Sequence, residues 1–439
     1  QKVPATGPQG IGVHGAPQER KPPMIATTQS PAEEASAAFA GKDHKATESG
    51  EFACAASTAL PDPIAESATD MPDVLFVMFK DVAAVPDSGS SVRPLKMLQA
   101  FKNIGCKVTL LEGLQNDVAR RHKNVRRIID GLKEGKRYDC CYVEPPSGPL
   151  FCPTDLTLLK ELKRREIPVG LFYRDAYHLF PQNFSQEGRL KEAVIRHMAH
   201  RDFKTFSRTC EVAYVPSRSF GELVGFPIPT KPLPPACAQS RFEAPVARNG
   251  KGVAGVYVGA ASKEYGTFLL LEAFDEANRL GSHADLTFVC PPGQWESLPE
   301  EYRKYRDKPW LSVVQAKGNE LEEHYRTADF GIMPRLRTPY NDIAAPVKMV
   351  EYISHGLPVL STDCTECKNF VETWGIGKTV QADPDSMARG IAEFAETKSP
   401  RNAYREALLA ACRENTWEKR AQTVIKDLCR NSRKTPASA

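Results

Sequence analysis

The chain has 439 residues, is 41% hydrophobic and carries a formal net charge of +4. That length supports two or three packed domains, and so small a net charge excludes a globally basic nucleic-acid binder. No apolar run reaches the roughly 18 to 20 residues needed to span a bilayer. Twelve scattered cysteines, several in apolar strand-like stretches such as "DCCYVEPP", suit reduced thiols better than a disulfide framework. The chain opens on Gln1, which points to a missing upstream segment.

Residues 1–70 are rich in Pro, Ala, Gly, Ser, Glu and Lys and nearly free of aromatics. Such a segment cannot bury enough apolar surface to offset its ordering entropy and reads as a disordered tail or linker. From Asp73 the texture changes. "DVLFVMF" reads as a strand, "KDVAAVPDSGSS" as a loop, and "VRPLKMLQAFKNIG" as a helix closed by Gly105. "KVTLLEG" is a second strand, followed by a long basic helix to about Lys136. "YDCCYVEPP" and "PVGLFYRD" are strands flanking the helix "PTDLTLLKELKRRE". A helix over about 189–207 and the strand "EVAYVPS" complete a first α/β domain, 71–235. The Pro-rich stretch 227–252 marks a linker. The alternation then restarts and fills a second domain, 236–400, and helices follow over 401–439. Apolar strands alternating with amphipathic helices predict two doubly wound parallel sheets, with a cleft between their strand carboxyl ends.

The stretch "PVKMVEYISHGLPVLST" (346–362) contains an electrostatic oddity. Pro346 suits the first position of a helix and Gly356 its end, so Lys348 falls in the first turn, where the backbone N–H groups disfavour a cation. An anion bound there would explain it, with Lys348 and the free N–H groups holding a phosphate or diphosphate. Glu351, three residues on, offers oxygens to a vicinal diol such as a ribose. The plainer reading is a Lys–Glu pair on a solvated helix.

"GIMPRLRTPYNDIAAPVKMVEYISHGLPVLSTD" resembles the nucleotide-sugar signature of GT-B glycosyltransferases, specifically the retaining family 4. "VYVGAASKEYGTFLLLEAF" resembles that family's glycine loop and following helix, and "NTWEKRA" its Trp-containing C-terminal helix. The resemblance implies a GT-B fold, with 71–235 as acceptor domain, 236–400 as nucleotide-sugar domain, and 401–439 packing back toward the first. It implies a metal-independent hexosyltransferase with no cofactor, taking a nucleotide sugar as donor and a glycan or lipid-linked acceptor. A cytoplasmic place follows, with contact to the inner membrane face through the basic first domain. The donor-side candidates are Lys348, Glu351, Gly259, Lys263, Arg335, Tyr340, Asp342 and Met349. Two departures stand out. The family's first glutamate would fall at Ile343, leaving Asp342 one residue off, and Lys263 is the sole cation near the glycine loop.

On the acceptor side "LFYRDAYHLF" places Asp175 and then His178 at a strand end as candidate bases. Ser88, Gly89 and Ser90 form a glycine loop whose N–H groups would meet an anion. "DPD" (383–385), "CTEC" (364–367) and "HMAH" (197–200) lack the partners or spacing of metal sites. A nucleotide-sugar epimerase of the same plan, or an inactive module binding glycan or a partner enzyme, would share these features.

Overall fold

The computed structural model describes residues 71–82, 89–175, 189–237, 242, 252–345 and 347–429. The expectations for 1–70, Ser88, His178 and Pro346 lie outside these residues. The first lobe runs β1 (Asp73–Met78), α1 (Gly89–Asn103), β2 (Lys107–Leu111), α2 (Val118–Lys133), β3 (Cys140–Glu144), α3 (Pro153–Arg164), β4 (Val169–Phe172), α4 (Arg189–Thr209), β5 (Val212–Val215), α5 (Arg218–Val224) and β6 (Thr230–Pro232). Its six strands pair in parallel in the order β2-β1-β3-β4-β5-β6.

The second lobe begins β7 (Val253–Val258), α6 (Thr267–Arg279), β8 (Ala284–Val289), α7 (Glu300–Arg303), β9 (Leu311–Val314) and α8 (Leu321–Thr327). It continues β10 (Phe330–Met333), α9 (Pro339–Ile343), α10 (Val347–Ser354), β11 (Val359–Thr362), α11 (Thr365–Trp374), β12 (Gly377–Val380) and α12 (Pro384–Glu396). These strands are also all parallel, in the order β12-β11-β10-β7-β8-β9. Helices cover both faces of each sheet, so the central strands are buried along nearly their whole length, as in the apolar run Val74–Met78 and in β11, whose Ser361 and Thr362 are fully buried.

Both sheets reverse their winding direction, between β1 and β3 and between β7 and β10. At such a switch point the two connections leave in opposite directions and open a crevice at the strand carboxyl ends.

The chain crosses between lobes twice. The linker residue Cys237 forms a parallel bridge with Thr416, its N–H donating to Asn415 O at 2.7 Å. Past short α13 (Pro400–Ala403), α14 (Arg405–Glu414) buries Leu408 and Cys412 in the second lobe. After Thr416, α15 (Trp417–Leu428) returns to the first, where Ala421, Val424 and Leu428 pack with Met97, Phe101 and Tyr214. The eleven described cysteines are free thiols.

One local expectation needs correcting. Gly89 and Ser90 belong to the first turn of α1 rather than to a loop. The first four N–H groups of a helix have no intrahelical acceptor, so small polar residues are well tolerated there. The basic stretch 120–127 divides between core and surface. Arg121 is fully buried, paired with Asp155 at 2.8 Å and donating to Met78 O at 2.7 Å, while Arg120, Lys123, Arg126 and Arg127 are exposed.

Candidate functional site

The crevice of the second sheet is built by the connections after β7 and β10. Gly266 has φ +78°, and a Cβ there would lie 1.6 Å from Pro334 O, so only glycine lets the two connections touch backbone to backbone. Gly259 is less constrained: a Cβ there would meet Tyr257 Oη at 2.5 Å, the tip of a side chain rather than backbone. Lys263 stands exposed in the same connection.

Arg335 lies two residues past β10 and is half-buried. Its guanidinium lies 5.2 Å from the Tyr265 ring centroid. Burial acts against its charge, but the Cys367 thiol and the phenols of Tyr265, Tyr340 and Tyr257 more than offset this and leave it above its ordinary value. Among the described residues no carboxylate lies within 4 Å of it, whereas Arg337, two residues on, pairs with both Asp342 and Asp363. Its backbone is fixed from β11, because Thr362 Oγ1 donates to Arg335 O at 2.6 Å and Cys364 Sγ donates to the same oxygen at 3.5 Å.

Helix α10 joins parallel strands, so it runs against them and brings its N-terminus to the same carboxyl edge. Lys348 sits there and is paired with Glu351, Nζ to Oε2 at 2.6 Å, and Tyr325 Oη donates to the same oxygen at 3.0 Å. The Lys–Glu pair is thus present, but on a helix whose Met349, Val350, Tyr352, Ile353 and Ser354 are buried rather than on a solvated one. Met349 is 1% exposed and packs in the core, so a ligand can meet only its backbone.

Asp342 takes a bracing role. Its carboxylate accepts from Arg337 Nε and Nη2 at 3.2 and 3.1 Å and from Thr365 N–H at 3.0 Å. Burial alone would raise its pKa, but these donors hold it below the usual carboxylate value. Tyr340 is half-buried beside Ile343. Asn341 Nδ2 donates to Glu264 O at 3.1 Å and Leu336 O at 2.8 Å, tying α9 to both connections of the crevice. Sequence reasoning passed over Asn341, Tyr265 and Thr362. Only Gly266, just before an amphipathic helix, left a signal in the sequence.

In the first lobe Asp175 lies three residues past β4 and is half-buried. Burial, then the charges of Asp175 and Asp202, push the neighbouring Tyr173 phenol well up. Arg174 Nη2 donates to Glu144 Oε2 at 3.1 Å, and Arg93 Nε lies 3.4 Å from Glu144 Oε1. A cavity of about 50 Å³ lies beside Tyr173, lined also by Pro146, Asp202 and Phe206. It has room for a few waters, and Asp202 is already satisfied by Leu150 N–H at 2.6 Å and by Arg201.

The motifs set aside have local explanations. Asp383 caps α12 by accepting from Ser386 N–H at 2.8 Å, and Cys364 and Cys367 are buried. His197 and His200 are on an exposed stretch of α4.

Residues 253–397 match the model of the family described as glycosyl transferases group 1. No curated protein matches the chain. Among solved structures, a glycosyltransferase from Rickettsia africae is 10% identical with a TM-score of 0.56, covering 84% of this chain and 100% of that one. An α,α-trehalose-phosphate synthase (UDP-forming) from Burkholderia vietnamiensis is 14% identical with a TM-score of 0.53, covering 82% and 99%. An E. coli trehalose-6-phosphate protein bound with UDP-2-fluoro glucose is 14% identical with a TM-score of 0.50, covering 82% and 99%. The chain has the GT-B fold, two parallel-sheet lobes of six strands each.

Proposed function

We propose that this GT-B protein, whose second lobe carries the glycosyl transferases group 1 pattern, transfers a sugar from a nucleoside diphosphate to an acceptor hydroxyl. The observation that carries the reading is Arg335. It is a half-buried cation at the switch point of the second sheet, with no carboxylate within 4 Å among the described residues. Its described surroundings keep the charge without a carboxylate to neutralise it, so an anion can meet it there, and a diphosphate at this edge would also reach Lys348 and the first N–H groups of α10.

Breaking the bond from sugar C1 to the diphosphate leaves positive charge on the sugar and growing negative charge on the leaving group. Arg335, Lys348 and the helix N-terminus would stabilise that growing charge, and cations supplied by the protein fit metal-independent transfer. Removing one such contact costs on the order of 2.7 to 4 kcal/mol in the transition state. Glu351 would accept from the ribose hydroxyls once Lys348 turns to the diphosphate. Asp175, just past β4 in the first lobe, would contact the acceptor hydroxyl, with His178 as the second candidate base. Retention of configuration belongs to the same reading.

The acceptor would be a glycan or lipid-linked sugar. The exposed cations of α2 would then face an anionic cytoplasmic leaflet, each worth about 1 kcal/mol near the surface. Co-sedimentation with phosphatidylserine vesicles and none with neutral ones is the expected result, and equal behaviour on both would remove that part.

Incubation with UDP-, GDP- and dTDP-sugars tests the central reading. Transfer, or slow release of free sugar, is expected. An altered sugar still on its nucleotide would make the chain an epimerase, and binding without turnover would make it a binding module.

A further inference from the structure

The two lobes touch at a seam away from the chain crossings. Ser217 Oγ caps α5 by accepting from Phe220 N–H at 3.1 Å, and its own proton goes to Ile343 O at 2.5 Å, at the end of α9. Two residues on, Ser219 N–H donates to Glu366 Oε1 at 3.0 Å, in the first turn of α11. Between these polar contacts Val215 and Phe220 of the first lobe pack on Ile343, with Tyr173 and Tyr340 beside them. Asp342 closes the arrangement by joining α9 to Thr365 N–H. One short helix of the first lobe is thereby gripped by two helices of the second.

The seam's neighbours matter for chemistry. On one side Tyr173 is two residues from Asp175. On the other, α9 is braced through Asn341 to Leu336 O, next to Arg335, and to Glu264 O in the glycine connection. Glu366 carries no assigned role, yet it bonds across lobes to the backbone of α5. Building on the transferase reading, we propose that this seam fixes the span between Asp175 and the Arg335 edge, with Ser217 and Glu366 as its positioning residues. Neither touches substrate. They act by holding the acceptor rim against the donor rim, since proximity of this kind is lost steeply with small misplacement.

The test uses the full chain and three variants: Glu366→Ala, Glu366→Gln and Ser217→Ala combined with Glu366→Ala. UDP affinity is read by calorimetry, donor turnover by product release, and lobe spacing by small-angle scattering. The double variant should keep UDP affinity within about twofold, because the donor groups sit on the second lobe alone. Its kcat should fall at least tenfold, and its radius of gyration should rise. Glu366→Gln keeps an oxygen that accepts from Ser219 N–H, so it should restore most of the kcat lost in Glu366→Ala. Unchanged kcat and radius in the double variant would overturn the proposal. So would a parallel loss of UDP affinity, which would place Glu366 in the donor lobe's own machinery. If the wild-type chain bound no nucleotide, the transferase reading would fail, and the scattering radius would still decide whether the seam holds the lobes.

Discussion

Lys348 sits where its helix's own field disfavours a cation, and Glu351 relieves that conflict from one turn deeper. The pair is about a third exposed, so it is worth only a few tenths of a kcal/mol to the fold. Breaking that pair therefore costs a ligand little. Lys348→Ala should leave the melting temperature nearly unchanged in a thermal scan and weaken UDP binding severalfold. A large loss of stability with intact binding would make the pair purely structural. Asp342 is the opposite case. Its folded pKa is depressed by Arg337 and Thr365 N–H. Its contribution is thus present above the unfolded value near 3.9 and fades as pH falls below it. Asp342→Asn should cost about 1 to 2 kcal/mol at pH 7 in a denaturant titration, and the gap to wild type should narrow steadily as the pH is lowered from about 4. The Lys348–Glu351 spacing was readable because a helix places residues three apart on one face. Asp342's partners were not, because Thr365 reaches it only after α9 folds against α11, and Arg337 only through the turn that leads into α9.

At the scale of elements, apolar strand runs and the glycines after helices made the alternation readable, as with Gly105 at φ +89°. The start of α1 was misplaced because Ser and Gly suit a loop and a first helical turn equally. The contact between Gly266 and Pro334 lay beyond sequence reasoning, since it joins segments about 70 residues apart. Gly266→Ala combines an unfavourable φ with a clash against backbone oxygen, which cannot move aside without shifting β10's connection. It should cost more than about 2 kcal/mol. In soluble variants, urea unfolding should show that loss together with weakened UDP binding, and wild-type values on both would refute the backbone contact.

The molecule as a whole is held by two chain crossings and the seam. Helix α15 completes the first lobe's core although it follows the entire second lobe. Deleting everything after Asn415 removes the burial of Val424 and Leu428, each worth roughly 1.5 to 3 kcal/mol, and also Trp417. Proteolysis should then cut the first lobe preferentially while the second survives, and equal resistance of both lobes would contradict this. The twin-sheet plan was legible from the single restart of one pattern after the Pro-rich stretch 227–252. The seam was not legible, because α5 and α9 are short and lie more than a hundred residues apart.

The most direct measurement is a calorimetric titration of UDP, GDP and dTDP into the wild-type chain and Arg335→Ala. The account predicts that at least one nucleotide binds, and that the variant binds it about 10- to 150-fold more weakly, the 1.5 to 3 kcal/mol of a hydrogen bond to a charged group. Equal affinity in both proteins, or no binding of any of the three, would contradict it.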